Sequence, residues 1–560
     1  LQVHFPCQAG IFDEVIFDRK SPSCFFASLR FSLPVLFTAI FLSTYCSSFL
    51  LFLFYYCTTA TAVMVAFLSR LNPTPAFPEY PGPHTVGTVD VEIPAAELPS
   101  TAATPADAAP TVSFRIFYPC HDQKETARPV RWIPSPQRPN LSAFARLLGA
   151  NSRASDFFSY FPSILYYITI PAQRNAPLLA PPTTNKRWPV MIFSHGLAGN
   201  RNLYSHVCGS MASYGLVVIA MDHRDGSSPV QYIRATSDTP SKIVDEIKIS
   251  HTPSPEVYAA RDKQLRIRCH EISLIHAALL KIDQGEKVNN LDDNIAQTKK
   301  ERVDVLSRFA GQLDVHTPGK IAFAGHSFGA CTTVQFLKSV FYAKERPSNA
   351  HSPLIVPTDS ALTRQVTPAS PVLLLDLWTL PLRSPNQTWL RERSLPSYTD
   401  PSIGGKNILS VMSQAFFKWT GNFNDVRRAI APPKNFSGPN PHLFYPATSQ
   451  HFSQSDFGVL FPFLTSKLLK TENPERLLLL NTRAMLQVLR DMNIEVADVG
   501  EKNLEGEKEE TILKPSSTGE ETVKGWVRVA VSDADNNNSG ISIEQDKKQK
   551  PADDSEGMDM

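Results

Sequence analysis

Hydrophobic residues in the middle of the chain follow two patterns that alternate along the sequence. Continuous apolar runs occupy residues 189–194, 216–221, 320–324 and 372–375. Such runs are typical of parallel strands that are buried on both faces. Between them, apolar residues recur at helical spacing, for example over residues 269–280 and 331–343. The alternation predicts an α/β domain with a mostly parallel central sheet and helices on both faces.

Polar and apolar residues alternate strictly in two segments nearer the N-terminus. Residues 88–93 read Thr-Val-Asp-Val-Glu-Ile, and residues 112–118 read Val-Ser-Phe-Arg-Ile-Phe-Tyr. A period of two predicts strands with one buried face and one solvent face. We therefore expect the folded domain to start near Thr85, and we place it within residues 73–475.

Two polar stretches depart from these patterns. Residues 283–306 are charged and polar, which predicts an insertion on the domain. After Val499 the chain has few aromatic residues and many Glu, Asp, Lys, Ser and Asn. Such a segment cannot bury enough apolar surface to offset its conformational entropy, so we expect a disordered tail over residues 500–560.

The N-terminal residues 1–63 allow two interpretations. No charged residue occurs between Phe31 and Ser69, and residues 35–56 are mostly apolar. That length is slightly above the roughly 20 residues that a membrane span needs. A signal anchor with a transmembrane helix would hold the protein at a membrane. The chain begins with Leu1, however, and translation from the first methionine, Met64, would give a cytosolic protein.

Charge and cysteine content exclude several classes of function. A formal net charge of +2 gives no electrostatic basis for nucleic-acid binding. The eight cysteines form no Cys-x-x-Cys pair, and no Cys/His group has the spacing of metal ligands. We therefore predict buried thiols, no metal and no organic cofactor.

A candidate nucleophile lies at the end of one apolar run. Residues 321–324 lead directly into Gly-His-Ser-Phe-Gly at positions 325–329, and a helical pattern follows. Gly-x-Ser-x-Gly between a strand and a helix is the nucleophile elbow of the α/β-hydrolase fold, with Ser327 as its serine. The glycines are needed because side chains there would collide with the strand and the helix.

Chain order limits the residues that could assist Ser327. In this fold the acid and then the histidine follow the serine. Asp376 directly follows the apolar run 372–375, which makes it the preferred acid. Two histidines follow Asp376: His442, at the start of a strand-like segment, and His451, in a polar loop. The loop position favours His451 as the base, with His442 as the alternative.

A second loop has the features of an oxyanion hole. The run 189–194 ends in His195-Gly196-Leu197, a turn that would bring backbone N–H groups near the nucleophile. We expect the donors to be the N–H groups of Leu197 and Phe328, and we expect His195 to orient the loop. Residues 222–225 (Asp-His-Arg-Asp) are interpreted as a structural polar network beneath these loops.

With these residues placed, the chain resembles the platelet-activating factor acetylhydrolase family, in its plasma and type II intracellular branch. The resemblance spans roughly residues 73–469 and rests on seven blocks in order. They are Phe-Arg-Ile-Phe-Tyr-Pro at 114–119, Trp-Ile-Pro at 132–134, Phe-Ser-His-Gly-Leu at 193–197, Asp-His-Arg-Asp at 222–225, Gly-His-Ser-Phe-Gly at 325–329, Leu-Asp-Leu-Trp at 375–378 and Gln-His at 450–451.

The resemblance implies both site residues and an activity. It carries the family's serine, acid and base onto Ser327, Asp376 and His451, and its oxyanion donors onto Leu197 and Phe328. It implies a calcium-independent serine hydrolase that cleaves the short or oxidised sn-2 acyl ester of phospholipids, a 1-alkyl-2-acetylglycerophosphocholine esterase. The partner implied is a phospholipid substrate, and the aromatic segment 156–167 is a candidate for contact with a lipid surface or for a helix packed on the sheet.

Other functions remain open at this point. A general carboxylesterase or a polyester hydrolase would carry the same elbow, and so would a serine peptidase of the same fold. A non-catalytic lipid-binding relative would carry the fold without the activity. Reactivity with a fluorophosphonate separates an enzyme from a binding protein, and a comparison of phospholipid, simple ester and peptide substrates separates the enzymes.

Overall fold

The computed structural model describes residues 74–123, 127–147, 152–160, 164–294, 299–514 and 523–531. The N-terminal segment 1–63, with its two interpretations, lies outside these residues. Within the described ranges, no helix is both long and apolar enough to cross a membrane.

Eleven of the thirteen strands in the described residues form one large sheet, and two form a separate hairpin. The strands are β1 (Val86–Pro94), β2 (Thr111–Pro119), β3 (Pro129–Arg131), β4 (Thr169–Arg174), β5 (Val190–Ser194), β6 (Val217–Asp222), β7 (Val230–Ile233), β8 (Lys242–Asp245), β9 (Ala322–His326), β10 (Val372–Leu375), β11 (Ile408–Val411), β12 (His442–Pro446) and β13 (Trp526–Arg528). The order across the large sheet is β13-β12-β11-β10-β9-β5-β6-β2-β1-β4-β3. Strands β6, β5, β9, β10, β11 and β12 run parallel to their neighbours in this block.

Helices connect the parallel strands. The α-helices are α1 (Gln137–Leu147), α2 (Ser152–Phe158), α3 (Ser205–Ser213), α4 (Pro255–Asp283), α5 (Lys299–Ser307), α6 (Phe328–Phe341), α7 (Ser360–Gln365), α8 (Thr388–Arg391), α9 (Gln414–Lys418), α10 (Thr420–Ile430), α11 (Asp456–Leu460), α12 (Pro462–Leu469), α13 (Pro474–Asp491) and α14 (Glu501–Leu504). Short 3-10 turns lie at Ala95–Glu97, Ile164–Tyr167, Ala343–Glu345, Leu380–Arg383, Pro385–Gln387, Pro396–Thr399, His451–Gln454 and Glu509–Leu513.

The sheet is covered on both faces. In β5, Val190 and Ile192 pack into one hydrophobic core with α4 and α6. Met191 and Phe193 point to the opposite face and pack into a second core with α3 and α13. Because both faces are buried, the strand sequences are continuously apolar, as predicted. This architecture, with an elbow serine after a central strand, is the α/β-hydrolase fold.

The two alternating strands differ from the expectation of a solvent face. Every residue of β1 and β2 is buried. Their polar positions face a buried ion network instead of water: the Arg115 guanidinium donates to Asp90 at 2.7 and 2.9 Å. Paired charges of this kind satisfy each other inside the protein. The alternating sequence therefore marks strands that are buried on both faces, with apolar side chains on one face and polar or charged side chains on the other.

Part of the predicted insertion is an integral element of the sheet. The side-chain oxygens of Asn290 and Asn294 accept the backbone N–H groups of Glu92 and Asp90, at 3.0 and 2.7 Å. Strand β4 pairs with β1 only at Gly87 and Thr88, and these bonds satisfy the N–H groups farther along the same edge of β1. The polar composition of this stretch therefore serves backbone pairing, and α5 follows it.

The expected disordered tail is wrong for the described residues beyond 499, and the domain does not end at 475. Helix α13 packs Leu478 and Met485 into the second core. Strand β13 pairs antiparallel with β12 at the end of the sheet. Trp526 anchors it, because its ring stacks on Phe444 with centroids 5.2 Å apart. Residues 515–522 and 532–560 lie outside the described part of the chain.

Candidate active site

Ser327 occupies a strained turn between β9 and α6. Its backbone has φ 56° and ψ −118°, a conformation that residues with a side chain rarely adopt. A Cβ on Gly325 would lie 2.4 Å from the Gly329 carbonyl, and one on Gly329 would lie 1.9 Å from the Ser194 carbonyl oxygen. Only glycine fits at either position, so the elbow glycines are explained by close backbone packing. The turn presents the Ser327 hydroxyl at the carboxyl end of the sheet.

The structure brings Asp376 and His451 to this hydroxyl. Asp376 directly follows β10, the strand next to β9, and His451 follows β12. His451 Nε2 lies 3.0 Å from Ser327 Oγ, and His451 Nδ1 lies 2.9 Å from Asp376 Oδ2. We call Ser327, His451 and Asp376 the candidate catalytic trio. A neutral imidazole with Nδ1–H on the carboxylate leaves Nε2 free to accept the serine proton.

The alternative base does not reach the serine. His442 begins β12, and neither of its ring nitrogens has a hydrogen-bond partner among the described residues. The His451 ring instead lies between two other rings. Phe416 stacks on it at 4.2 Å between centroids and 6°, and His326 stacks on its other side at 4.5 Å and 30°. Stacking on both faces fixes the orientation of the imidazole.

Burial controls the protonation of the acid and the base. It lowers the pKa of His451, so the imidazole is neutral and can accept a proton. Burial also raises the pKa of Asp376, while His326 and a hydrogen bond from the Ser413 N–H oppose that rise. A base that is neutral near physiological pH suits general base catalysis.

The predicted oxyanion loop lies directly beside the serine. A Cβ on Gly196 would lie 3.0 Å from Ser327 Cβ, so the loop approaches the nucleophile more closely than a side chain allows. Leu197 follows Gly196, and Phe328 follows Ser327 at the start of α6. Among the described residues, neither the Leu197 nor the Phe328 backbone N–H donates a hydrogen bond to another group. Both are available to a negatively charged oxygen near Ser327 Oγ.

A hydrogen-bond chain joins this loop to the base, and it was not foreseen from the sequence. His326 Nε2 lies 3.2 Å from the His451 carbonyl oxygen, which can only accept, so Nε2 carries the proton. His326 Nδ1 then accepts from the Tyr204 hydroxyl at 2.8 Å. The Tyr204 oxygen in turn accepts the Gly196 N–H at 3.3 Å. The only sequence signal was the histidine inside the elbow, which precedes the serine.

A second set of Ser, His and acid side chains lies beneath the loop. His223 Nε2 is 2.7 Å from Ser194 Oγ, and His223 Nδ1 is 2.7 Å from Glu271 Oε2. We call Ser194, His223 and Glu271 the buried trio. Residues 222–225 take part in a polar network, since His195 Nε2 also accepts the His223 N–H at 3.1 Å. That the network is structural stays a prediction. Glu271, on α4, was missed because the helical pattern of apolar residues does not reveal one polar contact.

Three side chains of types that bind metal ions lie close together at the candidate catalytic trio. Within the described residues, one group of three ligand-type side chains has its donor atoms within 4.8 Å of one another: His326, Asp376 and His451. The hydrogen bonds of the candidate catalytic trio and of His326 already use these atoms. A metal here would displace them.

A small pocket lies near the candidate catalytic trio. It is lined by residues that include Trp378, Thr379, Arg383 and Trp419, and no member of the trio is among its lining residues. The Trp378 backbone N–H donates to the Ser327 carbonyl oxygen at 3.4 Å. Trp419 meets Phe416, the ring stacked on His451, edge-on at 5.5 Å. Trp378 therefore separates the pocket from the nucleophile, and Trp419 and Phe416 separate it from the base.

Comparison with known proteins agrees with the sequence resemblance. Residues 70–511 match the family described as platelet-activating factor acetylhydrolase, isoform II. A Schizosaccharomyces pombe protein named "Putative phospholipase A2" is 28% identical over 474 residues, which cover 81% of this chain and 97% of that protein. The platelet-activating factor acetylhydrolase of Cavia porcellus is 33% identical over 231 residues, 40% of this chain and 46% of that protein.

That second match covers about half the length of the mammalian relative. Among solved structures, the ferulic acid esterase from Streptomyces cinnamoneus matches with a TM-score of 0.41 and 14% identity, over 75% of this chain and 93% of that one.

Proposed function

The chain belongs to the platelet-activating factor acetylhydrolase, isoform II family, and from that membership we propose that it hydrolyses the short or oxidised sn-2 acyl ester of phospholipids. The family and the relatives support the general activity, hydrolysis of a phospholipid ester, and the specificity for a short or oxidised sn-2 chain is the proposal. The observation that carries the proposal is the hydrogen-bonded trio around a strained Ser327, at 3.0 and 2.9 Å. We propose a mechanism that uses neither metal nor organic cofactor.

In this mechanism His451 removes the Ser327 proton as the oxygen attacks the ester carbonyl. Asp376 holds the imidazole in the required tautomer and stabilises the imidazolium that forms. The N–H groups of Leu197 and Phe328 bind the oxyanion of the tetrahedral intermediate. The alcohol then leaves with a proton from His451, and an acyl-enzyme remains. Water activated by His451 releases the acid and restores Ser327.

The preference for short chains follows from access to the substrate. An enzyme that draws single lipid molecules out of a bilayer must remove each buried CH₂ at about 0.8 kcal/mol. Five further methylenes add roughly 4 kcal/mol, which is nearly a thousandfold in rate if extraction precedes chemistry.

We also propose contact with a lipid surface. Phe157, Tyr160 and Tyr167 are 60%, 67% and 57% exposed, while Leu165 and Tyr166 of the same segment pack against the second core. The Arg138 guanidinium lies 3.3 Å from the centre of the Tyr160 ring. Exposed rings with adjacent cations suit the boundary between headgroups and acyl chains. A second exposed ring beside a cation lies in the C-terminal half of the chain: Phe463 on α12 is 70% exposed, and the Lys467 ammonium lies 4.3 Å from the centre of its ring.

The test is a phospholipid series that differs only in sn-2 length, assayed with protein beginning at Met64. We expect high activity on acetyl and butanoyl chains and little on long chains presented in vesicles. Equal rates from acetyl to palmitoyl would contradict the proposal and indicate an interfacial lipase. Faster turnover of p-nitrophenyl esters than of any phospholipid would favour a general carboxylesterase.

Two controls separate chemistry from binding and from metal dependence. A fluorophosphonate should label the wild-type protein and not Ser327→Ala; failure to label either would favour a non-catalytic lipid-binding relative. Activity in excess EDTA should equal activity in calcium. A strong calcium requirement would count against this mechanism.

A further inference from the structure

One buried arginine contacts both halves of the proposed oxyanion hole. Arg268 lies on α4 and is 0% exposed. Its Nη1 donates to the His195 carbonyl oxygen at 2.7 Å, and its charge is paired with Asp225 at 2.6 Å. Its guanidinium carbon lies 4.3 Å from the centre of the Phe328 ring. One side chain therefore touches the residue before Gly196-Leu197 and the residue after Ser327.

The same guanidinium also reaches the other end of the loop. Arg268 Nη2 donates to Ser227 Oγ at 2.6 Å, and the Ser227 carbonyl oxygen accepts the Ala198 N–H at 2.8 Å. Ala198 has φ 55°, a backbone conformation that a residue with a side chain holds only when its surroundings impose it. The segment from His195 to Ala198 is thus fixed at both ends, with the Leu197 N–H between them.

We propose that Arg268 is a positioning residue for the oxyanion hole: it sets the Leu197 and Phe328 N–H groups at the distance that the tetrahedral intermediate requires. This inference rests on the proposed function. The task needs arginine, because a planar fork donates in several directions while its face stacks on a ring. A lysine ammonium could pair with Asp225 but could not also bind His195, Ser227 and the Phe328 ring.

Arg268→Lys tests the proposal, because it keeps the charge opposite Asp225. An oxyanion donor displaced from its position should lower kcat about a hundredfold, the scale of a lost donor, and leave KM within about threefold. Rates are divided by the concentration of sites that fluorophosphonate titrates, so that a smaller fraction of folded protein does not lower the apparent kcat. The inhibition constant of an alkyl trifluoromethyl ketone, whose hemiketal oxyanion needs the same donors, should rise by the factor by which kcat/KM falls.

The chain provides a matched control on the same helix. Arg261 is also buried and lies 5.6 Å from the centre of the Phe328 ring, but it bonds Gln264 and the Ile249 carbonyl oxygen instead of the loop. Arg261→Lys should keep kcat within about threefold. If Arg268→Lys does not fold, Ser227→Ala removes one contact of Arg268 and should lower kcat in the same direction by a smaller factor.

Wild-type kcat per titrated site in Arg268→Lys would overturn the proposal. So would a loss of kcat with an unchanged inhibition constant for the ketone, since that pattern places the damage outside the oxyanion hole. A wild-type protein that neither hydrolyses esters nor reacts with fluorophosphonate would instead refute the proposed function, whatever Arg268 does.

Discussion

The two Ser–His–acid trios have nearly the same hydrogen-bond geometry and opposite surroundings. In the buried trio both distances are 2.7 Å, and in the candidate catalytic trio they are 3.0 and 2.9 Å. The His223 side chain is 0% exposed, whereas that of His451 is 29% exposed. Short distances alone would select the wrong serine. Both serines are buried, so the exposure of the histidine is the first property that separates the two trios.

Backbone conformation is the second difference. Ser194 is the last residue of β5 and belongs to a regular strand, whereas Ser327 lies on a turn and has φ 56°. That turn brings the Ser327 hydroxyl to His451 Nε2, and Phe328 follows the serine as the first residue of α6. Ser194 instead precedes the oxyanion loop, so its bond to His223 fixes a strand end. A hydrogen-bonded trio becomes a candidate for nucleophilic catalysis only where strain, access and oxyanion donors coincide.

Removal of the two serines gives the largest contrast. Ser327→Ala should reduce kcat about 10⁶-fold, because the trio acts as one unit and loses its nucleophile. Ser194→Ala should retain fluorophosphonate labelling and remain within about tenfold of the wild-type rate. Labelling that survives in Ser327→Ala and disappears in Ser194→Ala would reverse the assignment of the two trios.

The bases provide the next contrast. His451→Ala should lower kcat by a factor close to that of Ser327→Ala, since no other group within the described residues contacts Ser327 Oγ as a base. His442→Ala should leave the rate nearly unchanged, because His442 sits at the start of β12. Esterase assays on both variants, with circular dichroism to check folding, decide between them. Loss of activity in His442→Ala alone would show that the base assignment is wrong.

The sequence predicted those features that coincide with the ends of apolar strands. Ser327 and Asp376 directly follow such runs, and chain order reduced the histidines after Asp376 to two, which the structure separates by contact with Ser327. Other features have no local signature. Glu271 contacts His223, which is 48 positions away, and the attachment of β13 to the sheet includes a stacking contact between Trp526 and Phe444. Average polarity over residues 500–531 gave the opposite expectation.

Replacement of the two acids should also affect kcat differently, by a smaller ratio than replacement of the two serines. Asp376→Asn should lower kcat about 10⁴-fold, because an amide disfavours the tautomer in which Nδ1 is protonated. Glu271→Gln should stay within about tenfold, since Glu271 contacts His223 and the Arg224 N–H and reaches the oxyanion loop only through His223. Steady-state kinetics per titrated site measure both. A comparable loss in the two variants would mean that the buried trio takes part in proton transfer.

The smallest expected effect is a pH dependence of stability in the buried trio. Burial raises the pKa of Glu271 from an ordinary 4.5 to about 8, so the folded protein favours the protonated carboxyl. The stability this provides is fully present below the pKa of the unfolded chain and is lost as pH rises through the pKa of the folded protein. Between the two values the loss is at most about 1.4 kcal/mol per pH unit.

Glu271→Gln tests this, because a glutamine cannot ionise. The free energy of unfolding of the variant minus that of the wild type, measured by urea denaturation, should increase as pH rises from about 5 to 8. The buried histidines titrate in both proteins and largely cancel in the difference. A difference that is constant over this range would mean that Glu271 is ionised throughout, held by Arg224 and Arg268, and that the buried trio carries the same charge state as the candidate catalytic one.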